Sequence, residues 1–170
     1  MSAGAAAAGT EGTQRSPVHP IVLAGLIAGT LDITAAVVQT LIAGRKPERM
    51  LQGIASGWLG KASYTYGPAS MALGLASHFF IATTWAALYW LASRRSAPLI
   101  RHAWVYGTAY GIVVYGVMYE IVMPLSAIHR RIPRTPQDYI IGLLVHIVCV
   151  GLPIALVVRA TTPRRDLTSN

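Results

Sequence analysis

Four ionisable side chains, Asp32, His78, Glu120 and His146, stand inside stretches of sequence that are otherwise apolar. A carboxylate or imidazole taken out of water is costly unless it is paired or hydrogen-bonded. Such groups in apolar segments therefore mark either a packing device or a working site. Three kinds of chemistry fit the set. Asp32 and Glu120 titrating beside the histidines would make a proton or ion pathway, or the polar centre of a small transporter. His78 and His146, as two imidazoles at matching depth, would ligate haem iron or a metal in a membrane redox protein. Alternatively, all four hydrogen-bond across a helical bundle and fix its register, as in a structural or assembly subunit. The pathway is the leading specific reading. No cofactor can be named, and the chain carries no nucleophile elbow, phosphate loop or cysteine metal motif, so no catalytic residue and no enzymatic activity are expected.

The two histidines sit in similar contexts. Gly74-Leu75-Ala76-Ser77-His78 is echoed by Gly142-Leu143-Leu144-Val145-His146, and each is followed by an apolar run ending in Arg. A weaker echo joins Gly29-Thr30 to Gly107-Thr108. Read as a repeat, these motifs describe two related helical hairpins about a pseudo-two-fold axis along the membrane normal. His78 and His146 would then face each other at equal depth, each with room beside its ring from the glycine four residues earlier.

These side chains need elements to hold them, and composition says which. The chain has 170 residues, 54% of them hydrophobic and 12% charged, against about 25% charged in a soluble domain. Its mean hydropathy is +0.49. A helix of about 20 apolar residues crosses a hydrocarbon core, and four segments meet that length: residues 20–43, 68–92, 102–123 and 136–159. Helices are required because every backbone polar group in lipid must be satisfied within its own segment. The fold class is therefore all-α, a polytopic membrane protein of four transmembrane helices. Pro124 is expected to close the third helix. Thr135-Pro136-Gln137-Asp138 reads as an N-cap, a first-turn proline and an acidic third position that open the fourth. Gly151 and Pro153 are expected to kink that helix, and Trp85, Tyr89 and Trp90 suit an interfacial aromatic belt. Tyr106, Tyr110, Tyr115 and Tyr119 spread round more than one face of the third helix, as packing and interface residues do.

The flanks read as a low-complexity tail over residues 1–18 and a polar tail over 161–170. Between the first two helices, residues 47–60 place Met50, Leu51, Ile54 and Trp58 on one helical face. An interfacial helix is the expected form; a re-entrant turn is the alternative, because Gly53, Gly57 and Gly60 permit close approach to other helices. Helical periodicity puts Asp32 on a small stripe with Gly25, Ala28, Gly29, Ala35, Ala36 and Gln39, which lets helices pack closely and hides the carboxylate from lipid. It groups Glu120 with Ala109, Val113 and Gly116, again read as inward. From the face carrying the first and third loops, Asp32 lies about 17 Å deep, the two histidines about 12 to 15 Å, and Glu120 about 5 Å.

The net charge of +8 resides in tails and loops, where basic residues meet anionic headgroups. No basic face with interleaved aromatics appears, so the lipid bilayer and not nucleic acid is the expected partner. Four helices rarely enclose a route alone, so a pathway also implies a homo-oligomer. Cys149 is the single cysteine, which rules out an internal disulfide. Basic residues divide seven to seven between the two faces, so the positive-inside rule leaves orientation open; both termini are taken as cytoplasmic from the even number of spans.

Gly29-Thr30-Leu31-Asp32, Leu51-Gln52-Gly53-Ile54-Ala55-Ser56-Gly57, Met123-Pro124-Leu125-Ser126-Ala127 and Gly151-Leu152-Pro153-Ile154-Ala155 together resemble a family of small bacterial inner-membrane proteins of uncharacterised function, distantly YagU-like. The resemblance spans nearly the whole chain after the tail. It implies a multi-pass protein of the bacterial cytoplasmic membrane and carries over no activity or functional residue.

Overall fold

A computed structural model describes residues 18–129 and 135–162. The low-complexity stretch 1–17, Arg130, Arg131 and Arg134 of the third loop, and the C-terminal residues 163–170 lie outside the described residues. Val18, placed in the tail from sequence, is the first residue of the first helix.

Among the described residues, four helices are long and apolar enough to cross a membrane: α1 (Val18–Ile42), α3 (Pro68–Ser93), α4 (Ala103–Leu125) and α5 (Pro136–Thr161). A further helix, α2 (Pro47–Leu59), lies between the first two. This is an all-α, multi-pass membrane protein. Its packing is inverted relative to a soluble bundle. The interior combines Ala24, Ala28, Ala86, Ala103 and Ala155 with Tyr89, Val114, Val150, Ile154 and Val158, while Leu26, Leu41, Phe80, Trp104, Val113 and Ile140 point outward. With lipid outside, apolar burial gives helices no reason to associate, so close backbone approach at small residues takes over that task.

The glycines show where the approach occurs. A Cβ on Gly25 would stand 2.6 Å from Thr83 Cα, and one on Gly29 would stand 2.8 Å from the Phe79 ring. In the second hairpin a Cβ on Gly111 would stand 2.6 Å from Ile147 Cα, and one on Gly151 would strike the backbone of Gly107 and Gly111. The two hairpins thus use equivalent contacts: Gly25-x-x-x-Gly29 lies on α3 as Gly107-x-x-x-Gly111 lies on α5. Phe79 and Thr83 correspond to Ile147 and Gly151, and His78 to His146. This corrects the Gly-Thr echo. Gly29 is matched by Gly111, not Gly107, because register follows the small-residue pair that meets the partner helix and not the dipeptide that recurs.

Both prolines fall inside helices. Pro124 does not close α4, which continues to Leu125. Immediately before each proline the helix widens into a π turn, at Met118–Val122 in α4 and His146–Gly151 in α5. The residue preceding each proline donates five positions back, Met123 N–H to Met118 O and Leu152 N–H to Ile147 O. The wider turn relieves the clash of the ring with the carbonyl four residues earlier, so the helix absorbs the proline. The start of α5 is as expected: Thr135 Oγ1 accepts from Asp138 N–H, and Asp138 Oδ2 accepts from Thr135 N–H at 2.9 Å.

Gly151→Val places carbons against the α4 backbone, which cannot yield as a flexible side chain would. Overpacking of this kind costs about 1–3 kcal/mol or more. The expected outcome is a marked fall in thermal midpoint in mild detergent. Gly116→Ala, where a Cβ meets nothing within 4 Å, should leave the midpoint unchanged or slightly raised. Equal behaviour of the two variants would contradict the packing described.

Candidate functional site: an aspartate–histidine pair between α1 and α3

The small stripe on α1 is the surface that meets α3. Ala24, Gly25, Ala28 and Gly29 are all buried, and the bulk they lack admits the His78 ring. His78 Nε2 lies 2.9 Å from the Gly29 carbonyl oxygen. A carbonyl only accepts, so Nε2 carries the proton and donates. That fixes the ring and turns Nδ1 toward Asp32, whose Oδ2 is 4.0 Å away. Both side chains are largely enclosed, 13% exposed for His78 and 22% for Asp32. Phe79 packs edge-on against the imidazole, with centroids 5.5 Å apart, and walls the next position on α3.

With Nε2–H committed to Gly29, the only site on His78 for a further proton is Nδ1, on the side of the carboxylate. The carboxylate and Nδ1 are two sites that one proton can occupy. Without it, the pair carries one negative charge; with it, the pair is neutral overall, as a protonated acid beside a neutral ring or as an ion pair. In an apolar span that difference is energetically large. Helix α1 also packs against the His146–Gly151 turn of α5.

His146, the equivalent residue of the second hairpin, has other surroundings. Its Nδ1 lies 2.9 Å from the Gly142 carbonyl of its own helix, so here Nδ1 carries the proton. The ring is bounded by Tyr115 and Tyr119 of α4 at centroid distances of 5.3 and 5.9 Å. The structure therefore directs the two imidazoles to different helices, His78 to α1 and His146 to α4, and not toward each other as the repeat suggested. Each packs within its own hairpin because its glycine-lined neighbour is the helix that comes closest. His146 retains Nε2 for a ligand, whereas metal or haem ligation through His78 Nε2 would have to displace the Gly29 bond. Among the described residues no three His, Cys, Asp or Glu side chains converge as a metal shell.

Glu120 departs furthest from its expected place. It is exposed, and the residues grouped with it are not the packed face of α4: Val113 is exposed and Gly116 meets open space. Helix α4 carries two stripes of small residues, and the one that packs is Ala103, Gly107 and Gly111. Glu120 also sits within the π turn, where the 3.6-residue period no longer applies. The room assigned beside each histidine is occupied as well. A Cβ on Gly74 would strike the Leu51 carbonyl of α2, and one on Gly142 would stand 2.8 Å from the Tyr115 ring. Sequence reasoning passed over Tyr115 and Tyr119 as partners of His146, although their spacing of four residues places them on one helical face.

The two histidines should show opposite neutral tautomers. In nitrogen-15 spectra of histidine-labelled protein, assigned with His78→Gln and His146→Gln, His78 is expected as the Nε2–H form and His146 as the Nδ1–H form. The same neutral tautomer at both positions would contradict the geometry. Compared with family models, curated proteins and solved structures, the chain matches none.

Proposed function

We propose that this protein is a small transporter or a component of an ion or proton pathway, working as a homo-oligomer in a bacterial cytoplasmic membrane, with Asp32 and His78 as its proton-binding centre. The observation that carries this reading is the approach of Asp32 Oδ2 to His78 Nδ1 while His78 Nε2 is tied to Gly29. One proton held between an acid and a base inside an apolar span changes the charge of the site from minus one to zero, which is the elementary step of a proton relay. The bacterial setting rests on the resemblance of the glycine- and proline-containing segments described above.

A structural role is the second reading, and the His78–Gly29 bond favours it. A hydrogen bond between spans contributes about 0.6 kcal/mol on average, so His78 adds to helix association whatever else it does. The two readings separate in Asp32→Asn. The amide keeps the shape and hydrogen-bonding capacity of the carboxylic acid but cannot titrate.

In liposomes carrying a trapped pH dye, the parent protein is expected to collapse an imposed pH gradient. Asp32→Asn and His78→Gln should each lose at least ten-fold of that flux while keeping helical content and thermal midpoint. Unchanged flux in Asp32→Asn, or its failure to fold as the parent does, would favour the structural reading.

A further inference from the structure

Helix α2 is amphipathic, and beyond its first turn, where Glu48 and Arg49 are exposed, its polar side chains Gln52 and Ser56 point inward. Gln52, Ala55 and Ser56 are the buried positions, and Gln52 is only 6% exposed. The apolar face lies on the far side. Trp58 is 64% exposed, and Met50, Leu51 and Ile54 beside it are partly open. A third face carries Arg49, which is exposed, followed by Gly53 and Gly57, which are partly covered. A Cβ on Gly53 would stand 3.5 Å from Tyr64 Oη, and the Gly57 carbonyl accepts from Ala127 N–H at 2.9 Å in the loop after α4. A helix lying on the membrane surface keeps one polar face in water. Here only the first turn, with Glu48 and Arg49, is open on a polar side; beyond it the glycine face is partly covered by protein, and the side chains left open are apolar.

The contacts with α3 set the depth. The Leu51 carbonyl and the Ala55 amide lie against Gly74, and Trp58 Nε1–H donates to Ser77 Oγ at 3.0 Å. Ser77 is nine residues into α3, or about 13 Å along it. Leu73 and Phe80, one turn before and one turn after Ser77 on α3, are exposed as well. At its ends stand Arg45, Lys46 and Lys61, all exposed, with side chains long enough to reach anionic headgroups while the helix lies deeper.

We infer that α2 is embedded below the headgroup layer and that its Met50–Ile54–Trp58 face is a binding surface for the acyl chains of the bilayer. The helix is a half-buried wedge, held by α3 on its inner side and capped by the third loop on its aqueous side. This does not depend on what Asp32 and His78 do.

The test uses the full chain in liposomes of phosphatidylcholine with phosphatidylglycerol. In a Cys149→Ser background, spin labels are placed singly at Met50, Ile54, Lys61 and Phe80. Labels at Met50 and Ile54 are expected to relax strongly with oxygen and weakly with a water-soluble nickel chelate, as at Phe80 and opposite to Lys61. Strong relaxation by the chelate would place the face in water and overturn the inference. Weak relaxation by both would mean that protein, such as a second copy of the chain, covers the face, and would overturn it too. Trp58 provides a measurement without labels. The fluorescence lost in Trp58→Phe should be quenched in the parent by lipids brominated in the acyl chain, and little by aqueous acrylamide; the reverse order would overturn the inference.

Discussion

The exclusion of side chains where helices meet is the constraint on which the rest of this structure depends. In lipid the outer Leu, Val and Phe residues give the spans no reason to associate with one another. What holds them is close approach at glycine, with backbone against backbone at Gly25 on Thr83, at Gly107 and Gly111 on Gly151 and at Gly74 on α2, and with Gly29 against the Phe79 ring. At each of these positions a Cβ would come within 3.0 Å of a neighbouring helix, so any larger residue requires that neighbour to shift. The same absence of bulk that permits contact also opens the space in which the polar groups are held.

The Asp32–His78 pair follows from this. His78 reaches a main-chain carbonyl on α1 because Gly29 has no side chain to shield it. Once that bond is made, the ring has one rotamer and one tautomer, and the carboxylate a turn away sees the free nitrogen. The second hairpin has the same backbone register and an imidazole in the equivalent position. Where the first hairpin has Asp32, however, the matching residue is Val114, and His146 is surrounded by phenol rings. A near-symmetric scaffold thus holds two histidines in unlike chemical settings, one beside an acid and one among aromatics.

Proline introduces the second departure from regularity. Pro124 and Pro153 each lie two residues beyond the end of a π turn, and the two turns are in adjacent helices. Such turns let a helix pass a proline without breaking, and they rotate the residues that follow relative to a uniform helix. Glu120 lies inside one of them and His146 begins the other. Both residues are therefore placed by the irregularity as much as by the helix that carries it.

Composition and periodicity determined the broad architecture: four spans with ends within two residues of those observed, the capped start of α5 at Thr135 and Asp138, the helical form of residues 47–59, and the inward stripe around Asp32. Those features are local, set by apolar length, capping chemistry and the position of small residues on one face. Only the tertiary structure decided which of two small stripes on α4 is packed, that Glu120 points outward, that the histidines face different helices, and that α2 turns Gln52 and Ser56 inward. These are choices between faces. A helix with small residues on two sides offers two equally periodic answers, and one of them is selected only when a neighbouring backbone comes to lie against it.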